Sequence, residues 1–223
     1  ASAQDAAPRS PAEAEARIAA LEAQLATLAQ QVADLKAATA ASLKDVRAAQ
    51  SATTVSIAAG NAPSLKGVAR DAKIISIQIY SNIGGSPGAY YSDIISGLER
   101  VYQLRKKYKI ASANLSLGTS DLYSSPCDGQ LPAVKAIIDN LRSARIATVI
   151  ASGNGYADGA ISAPACISTA VAVGSTTKKD KVSDFSNHSK LVDLMAPGSD
   201  IYAAVPGGYE RMSGTSMATP HVT

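Results

Sequence analysis

The residues best equipped for chemistry stand in SGTSMATPHVT, Ser213 to Thr223. Ser216 lies among small residues in Gly214-Thr215-Ser216-Met217-Ala218, where the pattern predicts the start of a short helix. A helix N-terminus favours developing negative charge. A serine hydroxyl is nonetheless a weak nucleophile until a base takes its proton, and that base needs a carboxylate to hold its tautomer. The candidates for the base are few: the chain has two histidines, His188 in FSNHSK and His221 in TPHV. Asn154, between Gly153 and Gly155, reads in isolation as a turn residue, and Asp128-Gly129 as a turn beside Cys127.

The elements that must position these groups follow two grammars. All sixteen glycines lie from Gly60 onward, which puts a boundary near Thr53, between an Ala-rich segment over residues 1–52 and a domain over 53–223. In the first segment, after the APRSP stretch, Ile18, Leu21, Leu25, Leu28, Val32 and Leu35 step by three and four, a heptad seam that favours a parallel coiled-coil dimer. A solvent-exposed helix packed on its own domain is the competing reading. Thr39 interrupts the seam, and the pattern resumes at Leu43 and Val46, a shift that unwinds a supercoil locally.

From Lys73 short apolar runs alternate with helical periods. KIISIQIY, bounded by Asn82 and Gly84-Gly85, reads as a buried strand, Tyr91 to Lys109 as a helix, and IASANLSLG as the next strand. The unit repeats, with a helix over Leu131 to Ala144, then IATVIASGN and TAVAVG as strands. Alternation of this kind predicts an α/β fold with a parallel sheet covered on both faces, and ligands bound beyond the carboxyl ends of its strands. Leu117-Gly118 and Gly153-Asn154 fall on that rim. The basic run RKKYK, Arg105 to Lys109, is placed at the end of the first helix, where cations complement the helix dipole.

A length of 223 residues suits one substantial domain with an appendage. The net charge of +3 is small and scattered, so nucleic acid is not implied as a partner. No stretch reaches the roughly 20 apolar residues that span a bilayer, and no signal peptide is evident. The chain opens on Ala1 rather than Met, which fits either a trimmed precursor or a recombinant piece. Cys127 and Cys166 are too few for a structural zinc site. They are either two buried thiols or a disulfide, which by closing about 40 residues would stabilise the fold by roughly 4 kcal/mol.

SGTSMATPHV resembles the serine motif of the subtilisin-like serine proteases, the subtilases. Other pieces follow in that family's order: GVARDAKIISIQIY, NLSLG, ASGN, SAPACISTAVAVGST, SDFSN and LMAPGSDIYAAVPGG. The resemblance covers roughly Val55 to Thr223 and implies a three-layer, parallel-sheet subtilisin-like fold that cleaves peptide bonds through an acyl-enzyme. It implies Ser216 as nucleophile and Asn154 as side-chain donor to the oxyanion, a donor whose loss costs about 100 to 1000 in turnover. Ser116, Leu117 and Gly118 match the edge that pairs with an extended peptide, and Ala151, Ser152 and Gly153 the opposite wall of the specificity pocket. Subtilases are commonly exported, so the resemblance also implies a secreted or periplasmic setting and a Cys127–Cys166 disulfide. No cofactor is evident; calcium is frequent in the family, but no oxygen-ligand cluster of diagnostic spacing stands in the sequence.

The match has gaps. The family's Asp, followed by a small residue and Gly, has no counterpart, and Ala49 stands at the ungapped position of its catalytic His. His221 matches a structural position of the serine helix, and His188 a surface loop. Asp34 and Asp45 fall in the appendage, and Asp71 beyond the family's Asp. The expectation is therefore an incomplete copy of the domain, inactive alone, or a peptide-binding and coiled-coil assembly module, or half of an enzyme completed by another chain. Seven residues follow Ser216, about two helical turns, where the family's helix is longer, so the isolated domain is expected to be destabilised.

Overall fold

A computed structural model describes residues 10–83 and 86–223, with side chains not described at 13–14, 35–36, 38–51, 82 and 86–87. It divides into two compact units, residues 1–44 and 45–223. A single helix, α1 (Pro11–Ala59), runs through the division. Within the first unit it is exposed throughout its described length, and Ile18, Leu21, Leu25, Leu28 and Val32 are each 50–70% accessible. The glycine pair Gly84-Gly85 and most of APRSP lie outside the described residues, as do the side chains of Leu35, Thr39, Leu43 and Val46.

In the second unit the last turns of α1 dock. Ile57 is buried against Ala203 and Met217. Thr53 Oγ1 donates to the Ala204 carbonyl at 3.0 Å and Ser56 Oγ accepts from the Ala204 N–H at 3.0 Å, so two hydroxyls occupy both backbone groups of one strand residue. Short ladders follow: β1 (Asn61–Ala62) with β2 (Leu65–Lys66), and β3 (Ser81–Ile83) with β4 (Ser86–Gly88). Next come α2 (Tyr91–Leu104), β5 (Ser112–Leu115), β6 (Leu122–Tyr123), α3 (Pro132–Ser143), β7 (Ala147–Ala151) and β8 (Ile161–Ser162). The chain ends through β9 (Val171–Thr176), β10 (Leu194–Pro197), the hairpin β11 (Ile201–Val205)–β12 (Gly208–Met212), and α4 (Thr215–Val222).

The central sheet has the order β10-β9-β7-β5, all neighbours parallel. Its period of two sorts the core. Leu115, Ile150 and Ala172 are in register across three strands and pack with Val134, Ile138 and Leu141 of α3 and Ile94 and Leu98 of α2. Val149 and Val173 belong to a second cluster with Ala196 and Ala218 of α4. The result is three layers: α2 and α3, the sheet, and α4. Pro132 opens α3 at a position where its missing N–H is not needed, and Asp93 accepts from the Tyr90 N–H to cap α2.

Two expectations need correction. KIISIQIY is not a buried strand: residues 73–80 join no ladder, and Ile74 and Ile75 are 46% and 43% exposed. Its β-branched pattern is right for a strand, but a strand is held by its ladder, and among the described residues no ladder includes it. Its far end packs on α2: a Cβ on Gly97 would fall 2.6 Å from Ile79 Cγ2, so the absent side chain lets helix and segment touch. The helix expected to reach Lys109 stops at Leu104. RKKYK therefore begins at its C-cap, where the Arg105 guanidinium stacks 3.4 Å from the Tyr102 ring centroid and donates to the Tyr102 carbonyl.

Candidate active site

A cavity of about 430 Å³ opens beyond the carboxyl ends of β5 and β7. Leu117 and Gly118 line one side, Ala151, Gly153 and Asn154 the other, and Ser216 stands at its edge. Ser116 lies behind Ser216 rather than in the cavity. Ser152 is fully buried and turned away, its hydroxyl donating to the Asn187 carbonyl at 2.8 Å. Thr119, Ser120, Leu122, Gly155, Ser162, Asn187 and Thr215 also line the space, none of them singled out by sequence reasoning. Thr119 and Ser120 directly continue the Ser116–Gly118 edge, which was the available signal.

Each functional group is held by its neighbours. Ser216 occupies the first turn of α4, where main-chain N–H groups have no intrahelical acceptor. Asn154 Oδ1 accepts from the Thr215 N–H and hydroxyl, both at 2.8 Å, which commits its oxygen to the start of α4. The Thr215 hydroxyl also accepts from the Gly153 N–H at 3.2 Å, so one buried threonine ties the start of α4 to the Gly153-Asn154 turn. Gly153 is required there. Its φ is +105°, and a Cβ would lie 2.3 Å from Ser162 Oγ and 2.4 Å from Asn187 Nδ2. On the other wall Tyr91 backs Thr119; burial pushes its phenol pKa up, against the opposing effect of the Thr119 hydrogen bond.

The Ser216 hydroxyl donates to the Ser116 carbonyl at 3.4 Å, and the Ser116 hydroxyl donates back to the Ser216 carbonyl at 2.9 Å. Neither imidazole faces this hydroxyl through a hydrogen bond. His221 Nδ1 contacts the Met217 carbonyl at 2.8 Å, while His188 Nδ1 contacts the Ser186 carbonyl and its Nε2 lies 3.2 Å from Asp158. Ala49 falls within α1, with its side chain outside the described residues. Among the described residues no group of three His, Cys, Asp or Glu side chains is placed to hold a metal ion.

Cys127 and Cys166 form a disulfide with Cα atoms 5.4 Å apart. It fastens the loop before α3 to the segment before β9. Beside it the Cys127 N–H donates to the Cys166 carbonyl, and the Asp128 carboxylate accepts from the Ser168 N–H and hydroxyl.

A parallel sheet with helices on both faces thus carries a serine in the first turn of a helix and an asparagine tied to that turn, both lining one cavity. The profile of the subtilase family matches residues 49–223, and the chain belongs to that family. It is 37% identical over 160 residues to alkaline serine exoprotease A of Vibrio alginolyticus, covering 71% of this chain and 27% of that protein. It is 36% identical over 160 residues to proteinase R of Parengyodontium album, covering 70% of this chain and 38% of that one. The crystal structure of a cold-adapted subtilisin-like serine proteinase superposes with a TM-score of 0.63 at 35% identity, over 78% of this chain and 58% of the other. The chain thus spans well under half the length of these curated relatives.

Proposed function

We propose that this chain carries the peptide-binding and nucleophile portion of a subtilisin-like serine endopeptidase site and is inactive alone. Ser216 serves as nucleophile, Asn154 and the Ser216 N–H as oxyanion donors, and the walls formed by Leu117, Gly118, Ala151 and Gly153 receive an extended peptide in an extracellular or periplasmic setting. The observation that carries this reading is the partner of the nucleophile. A main-chain carbonyl, that of Ser116, accepts the Ser216 proton, and a neutral amide carbonyl is far too weak a base to remove it. Loss of triad members in this class costs about 10⁴ to 10⁶ in turnover. A fluorophosphonate probe tests it: labelling of wild type is expected to match that of Ser216→Ala, while an extended peptide still binds both. Prompt labelling that Ser216→Ala abolishes overturns the reading.

One further observation favours an assembly. Among the described residues β5 is laddered to β7 alone, and its other edge carries no ladder. A strand bearing the Asp, supplied by another segment or another chain, would pair with that edge. In-frame Asp-small-Gly and His-Gly-Thr-His motifs in the coding DNA beside this stretch support that arrangement, and their absence removes it. The exposed seam of α1 supports self-association. Leu21→Cys is expected to crosslink to itself under oxidation, because equivalent d positions meet in a parallel dimer; a monomer in sedimentation equilibrium at micromolar concentration refutes it.

A further inference from the structure

Asn187 is fully buried, and its side-chain amide uses every hydrogen-bonding capacity it has. Its Oδ1 accepts from the Gly155 N–H at 2.8 Å and the Ala157 N–H at 3.0 Å. Its Nδ2 donates to the Ser152 carbonyl at 3.2 Å and to Ser162 Oγ at 3.1 Å. Its own N–H donates to the Gly153 carbonyl at 2.9 Å. Four of these five bonds grip the loop from Ser152 to Ala157 on both flanks of Asn154, and the fifth reaches Ser162 of β8 on the cavity wall.

The loop needs such a grip. It contains Gly153 at φ +105° and Tyr156 at φ +58°, the latter a conformation unfavourable for a bulky side chain. Strained residues persist where the surroundings over-determine them. Asn154 itself is exposed, and its oxygen is committed to Thr215, so the direction of its NH₂ depends on where the loop backbone stands.

We propose that Asn187 is a positioning residue for the candidate oxyanion donor: it templates the Ser152–Ala157 loop so that Asn154 faces Ser216 and Gly153 lines the cavity. The inference rests on the reading of the cavity as a peptide site, but the template is testable without it. Replacing Asn187 by Ala strips the acceptor from two loop N–H groups and the donor from one carbonyl at once. Replacement by Asp keeps the acceptor and loses only the donors.

Amide exchange by NMR reads the template directly. In wild type the Gly155 and Ala157 amides are expected to be protected. In Asn187→Ala they are expected to exchange at least tenfold faster while Val149 and Ile150 in β7 are unchanged, and in Asn187→Asp their protection is expected to survive. Wild-type Gly155 and Ala157 amides exchanging at free-loop rates overturn the proposal, even if no variant folds. So does unchanged protection in Asn187→Ala.

The second readout is binding of one extended peptide with either a carboxylate or a carboxamide end, since a terminal carboxylate places an anion oxygen where the donors converge. Asn187→Ala is expected to lower the carboxylate-over-carboxamide preference at least fivefold; a purely structural role weakens both peptides alike and leaves the ratio unchanged, which overturns the proposal. Wild type that binds neither peptide sinks the peptide reading alone, and the exchange pattern then decides the template by itself.

Discussion

Removing the Cys127–Cys166 disulfide should cost this domain several kcal/mol without displacing the segments it joins. The two residues are 39 apart in sequence, and the chain-entropy relation for a loop of that size gives about 4 kcal/mol at 25 °C. Both sulfurs sit in the main hydrophobic cluster at 0% and 2% exposure, so Cys127→Ala with Cys166→Ala removes no buried polar group. Reduced thiols at the same sites would behave as small hydrophobes. The Cys127 N–H to Cys166 carbonyl bond and the Asp128 clamp on Ser168 do not depend on the sulfurs, and they hold the native approach of the two segments. The effect therefore falls on the unfolded state. For a domain of this size about 4 kcal/mol corresponds to a fall in Tm of roughly 8–16 °C. Calorimetry of wild type and the double alanine variant, with the variant's spectrum compared at 15 °C, measures it. A Tm change below about 3 °C, or a variant whose cavity residues shift in the NMR spectrum, refutes the reasoning.

Thr148 is 2% exposed on β7, and its hydroxyl has no hydrogen-bond partner among the described residues; Thr148→Val should raise stability by about 1 kcal/mol, read as an increased denaturant midpoint. Gly153→Ala should cost about 2–4 kcal/mol, because the left-handed φ is unfavourable for Ala and the new Cβ meets Ser162 and Asn187 at 2.3–2.4 Å; denaturation together with peptide titration checks it. Asp139 is held below its ordinary carboxyl pKa by hydrogen bonds from Lys135 and Thr169. A depressed folded-state value contributes stability above the unfolded pKa and loses it as pH falls through the folded one. Asp139→Asn should then destabilise at pH 7 by only about 0.2–1 kcal/mol, the pair being part-exposed, and the difference should close below about pH 4.

Much of this arrangement is legible in the residues themselves. Val134, Ile137, Ile138 and Leu141 announce α3 by their spacing, and the runs at 147–151 and 171–176 announce the inner strands, because burial on both faces demands continuous apolar side chains. The β11–β12 hairpin went unread, although Pro206-Gly207, with Gly207 at φ +84°, is a Pro-Gly turn between its two strands. What could not be read are consequences of distance. KIISIQIY has a strand's composition, yet whether it forms a ladder is decided by what lies beside it. Asn187 reads as a loop residue, because its partners stand 25 to 35 positions earlier in the chain and four of its five bonds involve backbone groups. Ser152 was placed on the cavity wall by its neighbours, but its side chain supports the wall from behind.

The geometry separates binding from activation. Every residue that lines the cavity comes from 117–216, and the bonds that hold it, from Thr215 to Gly153 and Asn154 and from Asn187 to Gly155 and Ser162, fall within the same stretch. On the proposed reading such a site can hold a peptide backbone by itself. Activation of Ser216 in its proposed role differs, because the group that receives its proton must be more basic than the Ser116 carbonyl now in contact. Ser116 directly follows β5, which with β10 is one of the two edge strands of the central sheet among the described residues. Unpaired strand edges and half-exposed Ile74 and Ile75 both gain free energy from an added strand. A strand added at the β5 edge would therefore lie near the candidate nucleophile, and on the proposed reading it would bring the Asp, leaving the base that takes the Ser216 proton to be supplied separately.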